Sequence, residues 1–360
     1  MRNKIDISVC VPTYKRPQML LQTISSFQAQ DIKNAELVII DDCSNDQTEV
    51  LVRKAQEKDN RIYYEKNKKN IGYCRNFRKT ILKARGKYLF LLGDDDLILG
   101  RNTLRMYVKT FDKEKNIGLI YSNIIQFNNH LFVDYVYRHF AKNSFFKSGS
   151  DAIRNIWLKT TFAGGIGLRN TNDIEKFFPK GNVLFPLVEM IGKILIDKNA
   201  YGLSNYSVGM RVHDDQLGFH MMRKKRVVGR ERHATLELHE ISDNLIQYIQ
   251  KFDKKINIKV IPDTVAKFLL NADKTVLISE GVRLEKRTLL ENIFSAIKQE
   301  KRIKHTPIFW LQLFIVLLLP KFLISPFKEI CRALLRRFYW MKETWYFNQE
   351  RGRIFEKKNV

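Results

Sequence analysis

Apolar residues fall into two rhythms over the first hundred positions. Ile5 to Val11 is a short, mostly apolar, β-branched run that stops at Pro12, and Leu37 to Ile40 and Tyr88 to Leu92 are unbroken apolar runs. Such runs predict strands buried on both faces, and Arg61 to Tyr64 predicts another short one. Between them, Met19, Leu20, Ile24 and Phe27 recur at helical spacing within Pro17 to Gln30. Asp46 to Lys58 and Tyr73 to Ala84 also read as helices, and a further helix is expected from Asn102. Strands alternating with helices predict a mainly parallel sheet covered on both sides. Ligands of such sheets bind beyond the carboxyl ends of the strands. Three of these ends carry Pro12-Thr13-Tyr14, Asp41-Asp42 and Gly93-Asp94-Asp95-Asp96, so polar residues converge on one edge.

The pattern then loosens. Ile117 to Tyr121 predicts a strand, and Leu131 to Tyr137 predicts a neighbour that pairs with it. Phe162 to Gly167 reads as a flexible loop leading to a short strand, Phe185 to Ile196 as a helix, and Tyr201 to Arg211 as a returning strand. After about Gly218 the composition shifts. A basic run lies within Met221 to Arg232, and helical patterns follow around 236–252, 264–277 and 284–297. Pro307 to Phe327 is strongly apolar, but its uninterrupted part, Ile308 to Leu319, is shorter than the ~20 residues that span a bilayer. Phe327, Cys331, Leu334, Phe338, Met341 and Trp345 then form an apolar stripe beside Lys328, Arg332 and Arg336. A stripe of this kind predicts a helix lying in a membrane interface. The expected organisation is a catalytic α/β domain over 1–218, a helical extension over 219–305 and membrane-associating helices over 306–360.

Charge sharpens this picture. The net charge of +25 over 360 residues fits either a nucleic-acid binder or a protein on an anionic membrane surface, and the C-terminal pattern favours lipid over nucleic acid. Cys10, Cys43, Cys74 and Cys331 have neither disulfide nor zinc-site spacing. The N-terminal residues lack the apolar core of a secretory signal. The expected location is therefore the cytoplasmic face of the inner (plasma) membrane.

VCVPTYKRP at Val9 to Pro17, ELVIIDDCSND at Glu36 to Asp46, NIGYCRN at Asn70 to Asn76 and GKYLFLLGDDD at Gly86 to Asp96 resemble, in order and spacing, family 2 glycosyltransferases. The resemblance is strong over the first hundred residues and extends to about Arg211. It implies a GT-A fold, a Rossmann-like mixed sheet with helices on both faces, to which this chain adds a C-terminal helical extension. It also implies an inverting transfer from a nucleotide diphosphate sugar, expected to be UDP-linked, to a lipid-linked or polysaccharide acceptor, with Mn or Mg as cofactor. By that resemblance Asp95 binds the metal. Asp96 lies beside it as a further ligand, a support or a helix cap, and Asp94 contacts the ribose or a metal-bound water. Asp42 accepts from the uracil ring NH, Pro12, Thr13 and Tyr14 enclose base and ribose, and Arg16, Arg75 and Asn76 belong to the donor nucleotide site. Asp41 is expected to hold the loop instead, and Asp46 reads as an N-cap. Gly93 stands where many members have an aspartate.

An acceptor hydroxyl needs a base to take its proton. The family's usual Glu-Asp pair is missing from NVLFPLVEMIGKIL, where Glu189 is the only carboxylate. His213, Asp214 and Asp215 are the other candidates. Two rival classes remain: a nucleotidyltransferase acting on sugar phosphates, and a basic non-enzymatic membrane-binding protein. PTYKRP does not offer the glycine- and lysine-rich phosphate loop of the first, and the second leaves the strand-end acids unexplained.

Overall fold

The computed structural model describes residues 5–128, 133–179, 186–212 and 234–271, together with position 318. These residues fall into two compact units, one ending at Val212 and one that includes 234–271.

The first unit opens with the alternation read from the sequence: β1 (Ile7–Thr13), α1 (Pro17–Gln28), β2 (Ala35–Asp41), α2 (Thr48–Lys58), β3 (Ile62–Lys66), α3 (Tyr73–Lys83) and β4 (Tyr88–Leu91). A two-residue strand β5 (Leu97–Ile98) and α4 (Thr103–Lys113) follow. Then come β6 (Ile117–Asn128), β7 (Val133–Tyr137), β8 (Ser144–Phe146), α5 (Ser150–Asn155), β9 (Ile166–Arg169), α6 (Pro186–Asp197) and β10 (Asn199–Val212).

One sheet holds all the strands, in the order β3-β2-β1-β4-β9-β6-β10-β5, with β7 on β6 and β8 on β10. The half formed by β3, β2, β1 and β4 is parallel. β9 interrupts the expected parallel character, running antiparallel between β4 and β6, and parallel pairing resumes between β6 and β10. β5, β7 and β8 are also antiparallel to their partners, so the sheet is mixed. The expected pairing of the segment ending at Tyr137 with its neighbour is present, as Ile124 stands opposite Tyr137.

Burial explains which pieces were readable. β1, β2 and β4 lie in the sheet centre, and every apolar side chain of β2 is buried. α1 begins at Pro17, whose fixed φ suits a first helical residue, and buries Leu20, Ile24 and Phe27. α4 packs on β4: Phe111 stacks on Tyr88 at 4.5 Å between ring centroids, and Tyr107 meets Phe90 edge-on at 4.9 Å. Each such pair adds about 0.5–1.5 kcal/mol beyond its buried area. Gly167 of β9 admits this packing, since a Cβ there would lie 2.7 Å from the Tyr107 ring.

The second unit contains α7 (Ala234–Lys251) and α8 (Val260–Asn271) among its described residues. Ile241, Leu245 and Ile249 of α7 and Val260, Ile261 and Val265 of α8 are buried. α8 starts four residues before the expected Thr264, with Pro262 near its beginning, where a missing N–H costs nothing. The basic run, residues 272–277 of the expected helix around 264–277, the expected helix around 284–297 and the expected interfacial helix from Phe327 lie outside the described residues. Among the described residues no helix is long and apolar enough to cross a membrane.

Candidate active site

The register of the parallel strands aligns their ends. Thr13 stands opposite Asp41, and Asp41 opposite Lys66. The Asp42 N–H donates to the Thr13 carbonyl at 2.9 Å and the Asn67 N–H to the Asp41 carbonyl at 2.8 Å, which carries the alignment past the strands. Pro12 lies beyond the last β1–β4 pair, Cys10 with Leu91, so its missing N–H breaks no bond on that side. Thr13, Asp42 and the acidic turn after β4 therefore meet on one edge, as the chain pattern predicts.

The acidic turn is built from several directions. Asp96 closes it, its carboxylate accepting from the Gly93 N–H at 3.2 Å and from the Arg211 N–H at 3.1 Å. The Thr23 hydroxyl of α1 sits 3.0 and 2.8 Å from the carbonyls of Asp94 and Asp96. From the end of β10, Arg211 Nε donates to the Asp95 carbonyl at 2.9 Å, another guanidinium nitrogen donates to Gln22, and the group lies over the Phe127 ring. Gly93 has a steric reason: a Cβ there would stand 2.3 Å from Asp96 Oδ2 and 2.7 Å from Asp95 Oδ1. An aspartate at this position does not fit this turn.

Asp94 faces β1. Its Oδ2 accepts from the Thr13 hydroxyl at 2.8 Å and from the Tyr14 N–H at 3.4 Å, while Oδ1 accepts from Arg16 at 2.9 Å. The same Arg16 nitrogen reaches Asp95 Oδ2 at 3.1 Å. Arg16, expected at the nucleotide, thus bridges two carboxylates here. Burial pushes the carboxyl groups of Asp94 and Asp96 above the ordinary range, and the charge of Asp95 adds to the effect. Arg16 would itself be lowered by burial, but Asp94 and Asp95 outweigh that and raise it. Burial lowers Arg211.

Asp42 accepts from the N–H groups of Ile71 and Gly72 at 2.7 and 2.9 Å and from the Asn67 amide at 3.1 Å. A carboxylate offers about four acceptor positions, so one further donor can be accommodated. Asp41 holds the loop, accepting from the Ser44 N–H and the Tyr64 hydroxyl. Asp46 accepts the N–H of Thr48, the first residue of α2, and so acts as the expected cap from one position further out. Arg75 and Asn76 part company. Arg75 is exposed, whereas Asn76 is buried and has both ends of its amide engaged, donating to the Ile40 carbonyl and accepting from Asn67. Asn76 fastens α3 to β2. Tyr14 is 40% exposed at the edge, with the Lys15 ammonium over its ring.

Glu189 lies on α6, 2% exposed, and accepts from Lys193 at 2.6 Å. As placed, its carboxylate neutralises a buried ammonium one turn along the same helix. His213, Asp214 and Asp215 lie outside the described residues.

The residues around this edge also match a known family: residues 8–173 fit the model of Glycosyl transferase family 2. Over 94 residues it is 37% identical to the GalNAc(5)-diNAcBac-PP-undecaprenol beta-1,3-glucosyltransferase of Campylobacter jejuni, covering 26% of this chain and 30% of that one. Over 119 residues it is 37% identical to the poly(ribitol-phosphate) beta-N-acetylglucosaminyltransferase TarP of Staphylococcus aureus, covering 32% and 35%. The chain thus spans 30–35% of the length of these two relatives. Crystalline S. aureus TarS 1–349 shares the fold, with a TM-score of 0.58 at 17% identity over 84% of this chain and 81% of that one. The acidic turn and the Thr13 and Asp42 edge lie within the matched residues.

Proposed function

We propose that this protein transfers a sugar, with inversion, from a UDP-linked donor to a glycan or lipid-linked acceptor. The observation that carries the reading is the meeting of Asp94, Asp95, Thr13, Arg16 and Asp42 on the carboxyl edge of one parallel half-sheet. TarS, whose fold the chain shares, has been crystallised with UDP-GlcNAc, which supports a uridine donor. The spare acceptor position on Asp42 suits the uracil ring NH, and Tyr14 offers an exposed ring beside it.

The acidic turn suits a hard divalent cation. Three carboxylates, each 6% exposed or less, share a buried turn that the guanidinium groups of Arg16 and Arg211 brace. Mg or Mn takes oxygen ligands, commonly one or two carboxylates with phosphates and water supplying the rest. Asp95 would hold it, with Asp94 alongside, while Asp96 is committed to closing the turn. Such a cation supplies charge neutralisation for the departing diphosphate. The chain's own residues fix the turn through Thr23 and Arg211 and seat the nucleotide against β1 and β2. Glu189, Asp214 and Asp215 remain the candidates for taking the acceptor proton, and burial beside Lys193 favours the latter two.

A screen of nucleotide sugars with Mn or Mg tests this reading. The expected result is metal-dependent release of UDP from one donor. Release of pyrophosphate from a nucleoside triphosphate and a sugar phosphate would instead establish a nucleotidyltransferase. We further propose that the basic, apolar C-terminal residues hold the protein on the cytoplasmic side of an anionic membrane, near a lipid-linked acceptor like that named for the C. jejuni relative. Deletion from Pro307 onward should abolish co-sedimentation with anionic vesicles, and retained binding would refute the anchor.

A further inference from the structure

We propose that Arg16 couples metal entry to donor entry: its guanidinium holds the place of a cation between Asp94 and Asp95, so a divalent ion is admitted with the donor diphosphate and poorly by itself. This deepens the donor-site reading above and rests on it.

The backbone aims Arg16 at the turn. Lys15 adopts a left-handed conformation, φ 56°, and its N–H is fixed by the Ser44 hydroxyl at 2.8 Å. Pro17 then starts α1, so Arg16 is held between two constrained residues and any movement falls to its side chain. One terminal nitrogen lies 2.9 Å from Asp94 Oδ1 and 3.1 Å from Asp95 Oδ2. A single nitrogen between oxygens of two adjacent carboxylates stands where a small cation bridging them would sit. The pair is not a rim contact, since the Arg16 side chain is 17% exposed and those of Asp94 and Asp95 are 7% and 8% exposed.

Charge makes the coupling. A guanidinium is not deprotonated in proteins, so a divalent ion arriving alone meets a permanent positive charge already seated on its ligands. The protein offers that ion few ligands in exchange, as no three His, Cys, Asp or Glu residues converge as a ready cage among the described residues. A diphosphate changes both balances. It supplies further oxygen ligands, and it gives the planar fork of Arg16 a bidentate anionic partner, so Arg16 can release Asp95 without losing its own compensation. Binding of metal and of nucleotide then favour each other reciprocally.

Mn2+ binding to the full chain, read from the electron paramagnetic resonance signal of the free ion with and without UDP, tests this. In the wild type UDP should tighten Mn2+ binding by at least about tenfold, and equal affinity with and without UDP would overturn the proposal. Arg16→Gln should bind Mn2+ alone about tenfold more tightly than the wild type, and Asp95→Asn in the same chain should cancel that gain. Arg16→Lys, which keeps the charge, should stay near the wild type. If Arg16 is only a structural clamp, Arg16→Gln will melt lower and bind Mn2+ alone no more tightly, which overturns the proposal. A wild type that binds no UDP even with Mn2+ would instead overturn the donor-site reading.

Discussion

Gly93 leaves no room for a methyl group, because Asp96 and Asp95 both point an oxygen into that space. Gly93→Ala should displace the Asp96 carboxylate from the Gly93 and Arg211 N–H groups and cost about 1–3 kcal/mol, read as a lower midpoint in urea. UDP binding should weaken with it. Arg211→Met should cost about 2–3 kcal/mol, since it removes the donors to the Asp95 carbonyl and to Gln22. A midpoint within experimental error of the wild type would show that β10 does not hold the turn. The acids themselves were legible, because three adjacent aspartates after an apolar strand have few other uses. The division of labour among them was less so: Gly93 with Asp96 three residues on hints at a closed turn, but the partner, Arg211, comes from 115 positions away.

At the scale of elements, apolar runs announced their strands, the short β3 and the antiparallel β7 included, whereas the two-residue β5, the three-residue β8 and the antiparallel direction of β9 were not legible. β2 is apolar and buried at nearly every position, whereas β5 has two residues and β9 follows a glycine-rich loop, so each is defined by its neighbours. Polar residues inside elements carry consequences that the chain pattern hides. Glu36 of β2 is buried and accepts from the Ser8 hydroxyl and from the backbone and guanidinium of Arg85, tying β1, β2 and the residue after α3 together. Glu36→Ala should cost about 2–3 kcal/mol by stranding these donors, measurable in the same urea titration. Glu189→Ala should cost about 3–5 kcal/mol by removing the carboxylate that pairs with the buried Lys193 ammonium. If Glu189 serves only as an exposed catalytic base, the variant will lose turnover with no change in midpoint.

At the scale of the molecule, the site joins folding to pH. Asp94 and Asp96 titrate above the ordinary carboxylate range, so they bind protons more tightly folded than unfolded. Their contribution to stability is therefore full below the unfolded value near ~4 and is lost as pH rises through the folded values. Cation binding runs the other way, gaining as these groups ionise. The increase in melting temperature given by UDP with Mn2+ should grow as pH rises above the ordinary carboxylate range, and a constant increment would show that the acidic turn does not bind the metal. The net charge of +25 adds a long-range attraction for the anionic donor, which 0.15 M salt screens beyond about 8 Å.

The central claim is that the turn from Gly93 to Asp96 is a metal-assisted donor site, and calorimetric titration of the full chain with UDP tests it most directly. With Mn2+ present the wild type should bind UDP, and both chelation of the metal and Asp95→Asn should weaken that binding by at least about tenfold. UDP binding that survives chelation and Asp95→Asn unchanged would contradict the account.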